Sequence, residues 1–293
     1  MNTETNRIER LDCLYSILSL PDKVRVVDIG ANPMSHDAPY KLLLEGGFCD
    51  LVGFEPQEET LLTLNERKGP NETYIPAAVG DGRRHNLNLF RGSGLASFLN
   101  IRKKTIGHLR GLRRAARPTG QLEIETSRLD DIPNLGRVDF LKIDIQGGEL
   151  SVFENGTDTL RDVIAIQTEV NFFPLYDNQP SFGDIDVHLR KQGFLPHSYQ
   201  HIEKRIILSE YGRNMPRGAA SQMLDGDILY LKDISSQEEW DDTSFARLAL
   251  IADGVYGYVD LALYCLEQLT LRGAVSSSEV QDYLDLVDPD ATK

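Results

Sequence analysis

An α/β fold built on a doubly covered, mostly parallel sheet is what this sequence predicts. Two observations carry the prediction. Short β-branched runs alternate with segments of helical periodicity, the pattern of strand–helix–strand units. In addition, RVDFLKIDIQGGELSVFENG (Arg137–Gly156) runs from a buried strand through Asp144 and two glycines into a helix opened by Glu149. In open α/β sheets ligands bind just outside the carboxyl ends of the strands. A carboxylate there is costly unless something uses it.

The elements follow in order. Ile8, Leu11, Leu14, Ile17 and Leu18 recur at helical spacing, so Ile8–Leu20 reads as an amphipathic helix stopped by Pro21. Val24–Ile29 is a β-branched strand. Gly30–Pro39 is a loop, and Tyr40–Glu45 is a helix closed by Gly46 and Gly47. Leu51–Phe54 is a strand capped by Glu55-Pro56, followed by a helix to about Asn65 and a third strand at Tyr74–Val79. Asn86–Phe90 alternates polar and apolar residues, as a short antiparallel excursion would. Val138–Ile143, Val163–Thr168, Phe194–Tyr199, Arg205–Ser209 and Ile228–Leu231 complete the strands, with a helix at Asp184–Lys191. Beyond a charged run at Asp233–Asp242, Phe245 to Tyr258 and Leu261–Leu269 read as a helical hairpin. Its apolar face calls for burial against the sheet or a twin subunit, so a homodimer through these helices is one expectation. The organisation is thus an N-terminal helix (1–22), a ligand-binding α/β domain (23–234) with a basic insertion at about 100–120, and an acidic helical extension (235–293).

The chain has 293 residues, 41% hydrophobic content and a net charge of −14. Such a balance disfavours broad nucleic-acid binding. Residues 235–293 hold twelve acidic and three basic side chains, whereas Ile101–Arg117 holds seven Lys/Arg and no acid. Cys13, Cys49 and Cys265 are odd in number and widely spaced, which fits reduced thiols and a cytoplasmic location. The first ten residues are polar, and no apolar run reaches the length of a membrane span.

Five motifs carry the chemistry. VVDIGAN (Val26–Asn32) ends a strand in a glycine turn, with Asp28 placed to hold a polar or cationic group and Gly30 open to close approach. The G-x-G-x-x-G cradle of dinucleotide enzymes is missing, which counts against a nicotinamide cofactor. In GFEP, Glu55 lies 25 residues after Gly30, where an acidic residue takes ribose hydroxyls. PAAVGDG (Pro76–Gly82) offers a shelf for a planar base, with Ala78, Val79 and Asp81 at its edge. In KIDIQGGE, Lys142 and Asp144 share one face of a strand; they could pair structurally, but their place at a strand end favours a site, with Lys142 a candidate substrate contact. In QTEVNFFPLY, Glu169 ends the neighbouring strand as the counterpart of Asp144. Tyr176 could wall the pocket, while Phe172 and Phe173 read as core.

Together VVDIGAN, GFEP, DFLKIDIQGGELSVFENG, IQTEV and the late DILYLKD resemble the FkbM-type methyltransferases from about Val24 to Lys232. The resemblance implies a Rossmann-like class I fold, a mostly parallel seven-stranded sheet with its last strand antiparallel. It implies S-adenosylmethionine as cofactor, S-adenosylhomocysteine as product, and O-methylation of sugars or natural products. Asp28, Gly30 and Asn32 would surround the methionine part, Glu55 the ribose, and Ala78, Val79 and Asp81 the adenine, with Ala31 and Pro56 as further cofactor contacts. Asp144 would lie near the sulfonium. Two departures stand out. Gln146 replaces the glutamate of K-I-D-x-E-G, and the loop Pro33–Asp37 lacks a second glycine.

The expected reaction is methyl transfer to a hydroxyl of a saccharide or glycosylated natural product. Asp144 and Glu169 are the candidate bases, with His201 behind them. A metal bridging Asp144 and Glu169 ranks below the metal-free case, because the sequence shows no third ligand. Arg113, Arg114 and their basic neighbours could bind an anionic acceptor or lipid, or pair with the protein's own acids. Two alternatives stay open: a nucleotide-sugar oxidoreductase or epimerase on a similar sheet, and a degenerate methyltransferase fold serving as an assembly subunit.

Overall fold

The computed structural model describes residues 3–32, 38–212, 214–236, 238 and 240–287. Its strands are β1 (Val24–Ile29), β2 (Cys49–Phe54), β3 (Glu72–Ile75), β4 (Ala78–Val79) and β5 (Arg84–Phe90), followed by β6 (Pro118–Ser127), β7 (Phe140–Ile143), β8 (Ala165–Asn171), β9 (Phe194–Arg205) and β10 (Gln222–Lys232). The main sheet has seven strands in the order β3-β2-β1-β7-β8-β10-β9. The pairings β1–β2, β1–β7, β2–β3 and β7–β8 are parallel, while β10 runs antiparallel to both its neighbours. This is the expected seven-stranded sheet with the last strand reversed. A second sheet, β4-β6-β5, rises from the segment between β3 and β7.

Among the strands, three differ in kind from the sequence reading. Tyr74–Val79 is two strands, because Pro76 has no N–H for the ladder and the chain turns there, so that Ala78 and Val79 pair with β6 instead. Arg205–Ser209 is no separate strand: β9 already runs to Arg205, and beyond it Ile207 forms an isolated bridge to Leu109. The strand β6 was not legible, since most of PTGQLEIETS is exposed and shows no buried face. Its antiparallel ladder with β5 makes it a strand.

The helices are α1 (Thr3–Leu18), α2 (Lys41–Glu45), α3 (Glu58–Arg67), α4 (Lys103–His108), α5 (Leu112–Ala115) and α6 (Glu149–Glu154), then α7 (Thr157–Leu160), α8 (Phe182–Lys191), α9 (Asp242–Ile251), α10 (Val259–Leu271) and α11 (Ser277–Val287). Side chains alternate across each strand, so each face has its own core. Val24, Val26, Leu51 and Phe140 pack under α1, α9 and α10. Val27, Ile29, Leu141 and Ile143 pack under α6, α7 and α8. A π-helical turn, Ala252–Tyr256, joins α9 to α10. Its buried Asp253 accepts two hydrogen bonds from Arg10 (3.0 and 2.6 Å) and one from the Tyr283 hydroxyl (2.9 Å), which ties α1 to α11.

Candidate functional site

From β1 the chain winds outward through β2 and β3, then returns to the other side of β1 with β7 and β8. The carboxyl ends of β1 and β7 therefore flank the point where strand order reverses, the usual ligand crevice of such sheets.

Parallel register aligns Asp28 with both Gly53 and Lys142. The Lys142 ammonium consequently reaches Asp28 at 2.9 Å. Its partner is Asp28 on the neighbouring strand, not Asp144 two residues along its own. Burial pulls the Lys142 ammonium down, but Asp28, then Asp144, holds it above its ordinary value. The Tyr40 hydroxyl donates to the second Asp28 oxygen at 2.7 Å. Asp28 is thus a buried, doubly bonded anchor. Gly30 answers a constraint of the chain itself: its φ is +87°, and a Cβ there would meet the Asp144 carbonyl oxygen at 2.2 Å. The N–H groups of Gly30 and Ala31 both donate to the Phe54 carbonyl, locking the β1 and β2 tips together. Asn32 is exposed, and the Pro33–Asp37 loop lies outside the described residues.

Glu55 is only 2% exposed. One carboxylate oxygen accepts from the Gln57 N–H at 2.7 Å. Burial pushes its carboxyl up to about 7, and the charge of nearby Asp28 adds to the rise. Ala78 and Val79 are buried in β4. Asp81 is turned inward, accepting from Arg83 N–H at 3.0 Å and facing the His85 ring at 2.7 Å.

At the β7–β8 tips three carboxylates, Asp144, Glu149 and Glu169, bring oxygens within 4.8 Å of one another. They could chelate a cation together, so the fold supplies a third acidic ligand, Glu149, that the sequence did not reveal. Glu149 is buried and accepts from the N–H groups of Ile145 (2.9 Å) and Gly147 (2.9 Å). Burial pushes its carboxyl up to about 7 against those donors. Gln146, with φ +57°, takes the left-handed conformation. Its amide donates to Asp144 at 3.0 Å and to Glu169 at 2.9 Å, bridging the two carboxylates. Its amide oxygen accepts from the buried Tyr176 hydroxyl at 3.1 Å, and its backbone carbonyl from Ser97 at 2.7 Å. Glu169 is pushed well above the carboxylate range by burial first, then by Asp144 and Asp225.

Sequence reasoning missed two further acids, Asp225 and Asp227 on β10. Asp227 stands opposite Glu169 on one side and His201 on the other. Burial and then Asp144 raise its pKa. The antiparallel register alone brings these acids to the crevice. His201 is exposed at the rim, 3.7 Å from Glu203. Phe172 packs on Phe182 and Tyr199, and Phe173 stacks on His108. Arg113 and Arg114 are exposed on α5. The chain of mutually interacting groups runs from Glu55 through Asp28 and Lys142 to Asp144, Glu169 and Asp227.

A family model described as the methyltransferase FkbM domain matches residues 28–196. The 2-O-methyltransferase NoeI of Sinorhizobium fredii (strain NBRC 101917 / NGR234) is 30% identical over 175 residues, spanning 57% of this chain and 70% of its own length. Among solved structures, magnesium protoporphyrin IX methyltransferase from Synechocystis PCC 6803, with bound SAM, aligns over 80% of this chain and 85% of its own at 9% identity and a TM-score of 0.37. Precorrin-6y C5,15-methyltransferase from Geobacter metallireducens GS-15 aligns over 76% and 86% at 14% identity and a TM-score of 0.32. The fold class rests on the strand order and the family match.

Proposed function

The chain belongs to the FkbM methyltransferase family and is a methyltransferase, and on that premise we propose that it transfers a methyl group from S-adenosylmethionine to a hydroxyl of a saccharide or glycosylated small molecule. The observation that carries this reading is the convergence of Glu55, Asp28, Asp144 and Glu169 on the carboxyl tips of β2, β1, β7 and β8. The name of the NoeI relative, a 2-O-methyltransferase, supports oxygen as the acceptor atom.

The residues present fit the cofactor. The buried Glu55 carboxylate is acceptor-only, the chemistry a ribose diol requires. One of its oxygens is steadied by Gln57, so it is held ready. The acids around Asp144 suit a cationic donor. We assign Glu55 to the ribose and the β1 tip, Gly30 to Asn32, to the methionine part. Pro56, Ala78 and Val79 are assigned to the adenine side, and Asp81 shapes that edge through its bonds to Arg83 and His85. When bound, the cofactor supplies an electrophilic methyl group on sulfur.

The protein's work is alignment and proton handling. Holding an acceptor oxygen in line is worth several kcal/mol of the barrier, because it removes the entropy of a bimolecular encounter. Asp144 faces solvent, and we assign it to accept the proton from the acceptor hydroxyl, a role that typically adds roughly 10²–10⁴-fold. Glu169, pushed above the usual carboxylate range by burial and then by Asp144, lies beside Asp144. The Gln146 amide, donating to both, fixes their separation, as a cation between two carboxylates would. Lys142 pairs with Asp28 at 2.9 Å and places a positive charge within the row of acids. His201 stands where an acceptor would enter.

The test is transfer of isotopically labelled methyl from S-adenosylmethionine into candidate saccharides, followed by mass spectrometry. Label on a hydroxyl oxygen is the expected result. A protein that fails to bind S-adenosylhomocysteine but binds nicotinamide nucleotides would refute the reading in favour of an oxidoreductase.

A further inference from the structure

The segment between β3 and β7 builds a groove that the reaction centre alone does not explain. The antiparallel β5–β6 pair forms one wall, and residues 100–106, including the start of α4, form the other. The groove holds about 1270 Å³. Pockets for drug-sized ligands run to roughly 300–1,000 Å³, so this one accommodates an extended molecule. Phe90, Ile101 and Ile106 give it apolar surface, and Asn88, Asn100 and Gln121 give it amide groups. Rings with an apolar face and a fringe of hydroxyls match such a lining.

Its charge is the second observation. Arg102, Lys103 and Lys104 line the groove against a single acid, Asp177. Although the chain carries 45 acidic residues, these three cations form no salt bridge with any carboxylate among the described residues. Pairing with the protein's own acids does not account for them.

The third observation is continuity with the reaction centre. Asp177 donates its N–H to the Asn100 carbonyl at 2.8 Å, and Ile101 bridges to Tyr176. The Tyr176 hydroxyl reaches Gln146, the residue between Asp144 and Glu169. Ser97, at the near end of the same wall, also donates to Gln146.

Resting on the methyltransferase reading above, we infer that this groove is the acceptor site for an extended saccharide bearing carboxylate or phosphate groups. Arg102, Lys103 and Lys104 hold the anionic groups, and the part of the saccharide that carries the reacting hydroxyl extends beyond the groove toward Asp144. Arg113 and Arg114, the cations that stand out in sequence, lie outside the groove's lining.

The test is direct titration of the full chain with hexagalacturonate, uridine diphosphate glucose and neutral maltohexaose at low salt, with S-adenosylhomocysteine titrated in parallel. Lys103 and Lys104 are both exposed, so the K103E/K104E variant keeps its fold, which a melting curve verifies. At least one anionic probe should bind about tenfold or more tighter than maltohexaose, and the variant should weaken it about tenfold. The binding should also fade as salt shortens the screening length. Which anionic probe binds separates carboxylate from phosphate as the source. The inference is overturned if neither anionic probe binds, if maltohexaose binds equally well, or if the variant binds as the wild type does. S-adenosylhomocysteine affinity should be the same in both proteins. Its loss from the wild type would sink the cofactor reading, whereas its retention beside unresponsive saccharides would sink only the groove.

Discussion

Glu55 offers the sharpest test, because its environment sets opposite demands on the free and the ligand-bound protein. The side chain is 2% exposed, and burial raises its carboxyl from 4.5 to about 7. A ribose diol donates hydrogen bonds and therefore needs the ionised form. Below pH 7 the free protein holds the proton, and binding must release it. Apparent affinity for S-adenosylhomocysteine should then weaken about tenfold between pH 8 and pH 6. Glu55→Gln removes the charge and one acceptor, which costs about 1.5–3 kcal/mol, or roughly 10- to 150-fold in Kd at pH 8, and flattens the pH dependence. Stability should move the other way. A carboxyl whose folded pKa is raised contributes stability that is complete below pH 4.5 and lost as pH climbs through 7. Above pH 7 the ionised, buried Glu55 costs the free fold on the order of 3 kcal/mol, so Glu55→Gln should melt higher than wild type at pH 8. Calorimetric titration at three pH values and thermal melts of both proteins give the answer. If Glu55→Gln binds S-adenosylhomocysteine as tightly as wild type, the ribose assignment is wrong. An affinity that does not change with pH would show that Glu55 is already ionised, contradicting its burial.

Other parts of the site give further expectations. Lys142→Met leaves Asp28 buried without its 2.9 Å partner and should destabilise the fold by about 3–5 kcal/mol, read from denaturant unfolding; adding Asp28→Asn should recover much of that loss. Gly30→Ala places a Cβ against the Asp144 carbonyl at a φ of +87°, so it should lower both melting temperature and cofactor affinity, and a variant with wild-type melting behaviour would contradict that contact. Gln146→Ala frees Asp144 and Glu169 from their shared donor and should cut kcat by about tenfold or more with little change in S-adenosylhomocysteine affinity; equal losses in both would make Gln146 a cofactor contact instead. Because Glu149 and Asp225 are also pushed up to about 7, the melting temperature of the ligand-free protein should rise as pH falls from 8 toward 5.5, and a fall over that range would contradict their burial.

Much of the architecture is written locally. Val24–Ile29 could be read as a strand to the residue, since β-branching and burial on both faces leave little alternative. The run from Lys142 to Glu149 announced a strand tip by its abrupt change from apolar residues to Asp144 and paired glycines. The residues that local pattern decides poorly are those whose partners lie far along the chain. Lys142 chose Asp28 over Asp144 because strand register sets them side by side. Gln146 gained its place between two carboxylates from a fold that brings Tyr176 and Ser97 to the same loop. Nothing near Asp225 or Asp227 marked them as neighbours of Glu169, since only the antiparallel insertion of β10 puts them there. The strand β6 has no buried face to advertise it, and exists by virtue of its pairing with β5.

Residue spacing and side-chain period thus determined the layered sheet and the carboxylates at the strand tips, because hydrophobic periodicity and turn chemistry act over a few residues, and the combined motifs carried the family resemblance. Tertiary structure alone decided which charges are paired, which carboxyls burial raises and where the basic segment opens a groove, because electrostatic energy depends on distance and burial, and both are set by chain segments more than a hundred residues apart in the case of Asp28 and Lys142.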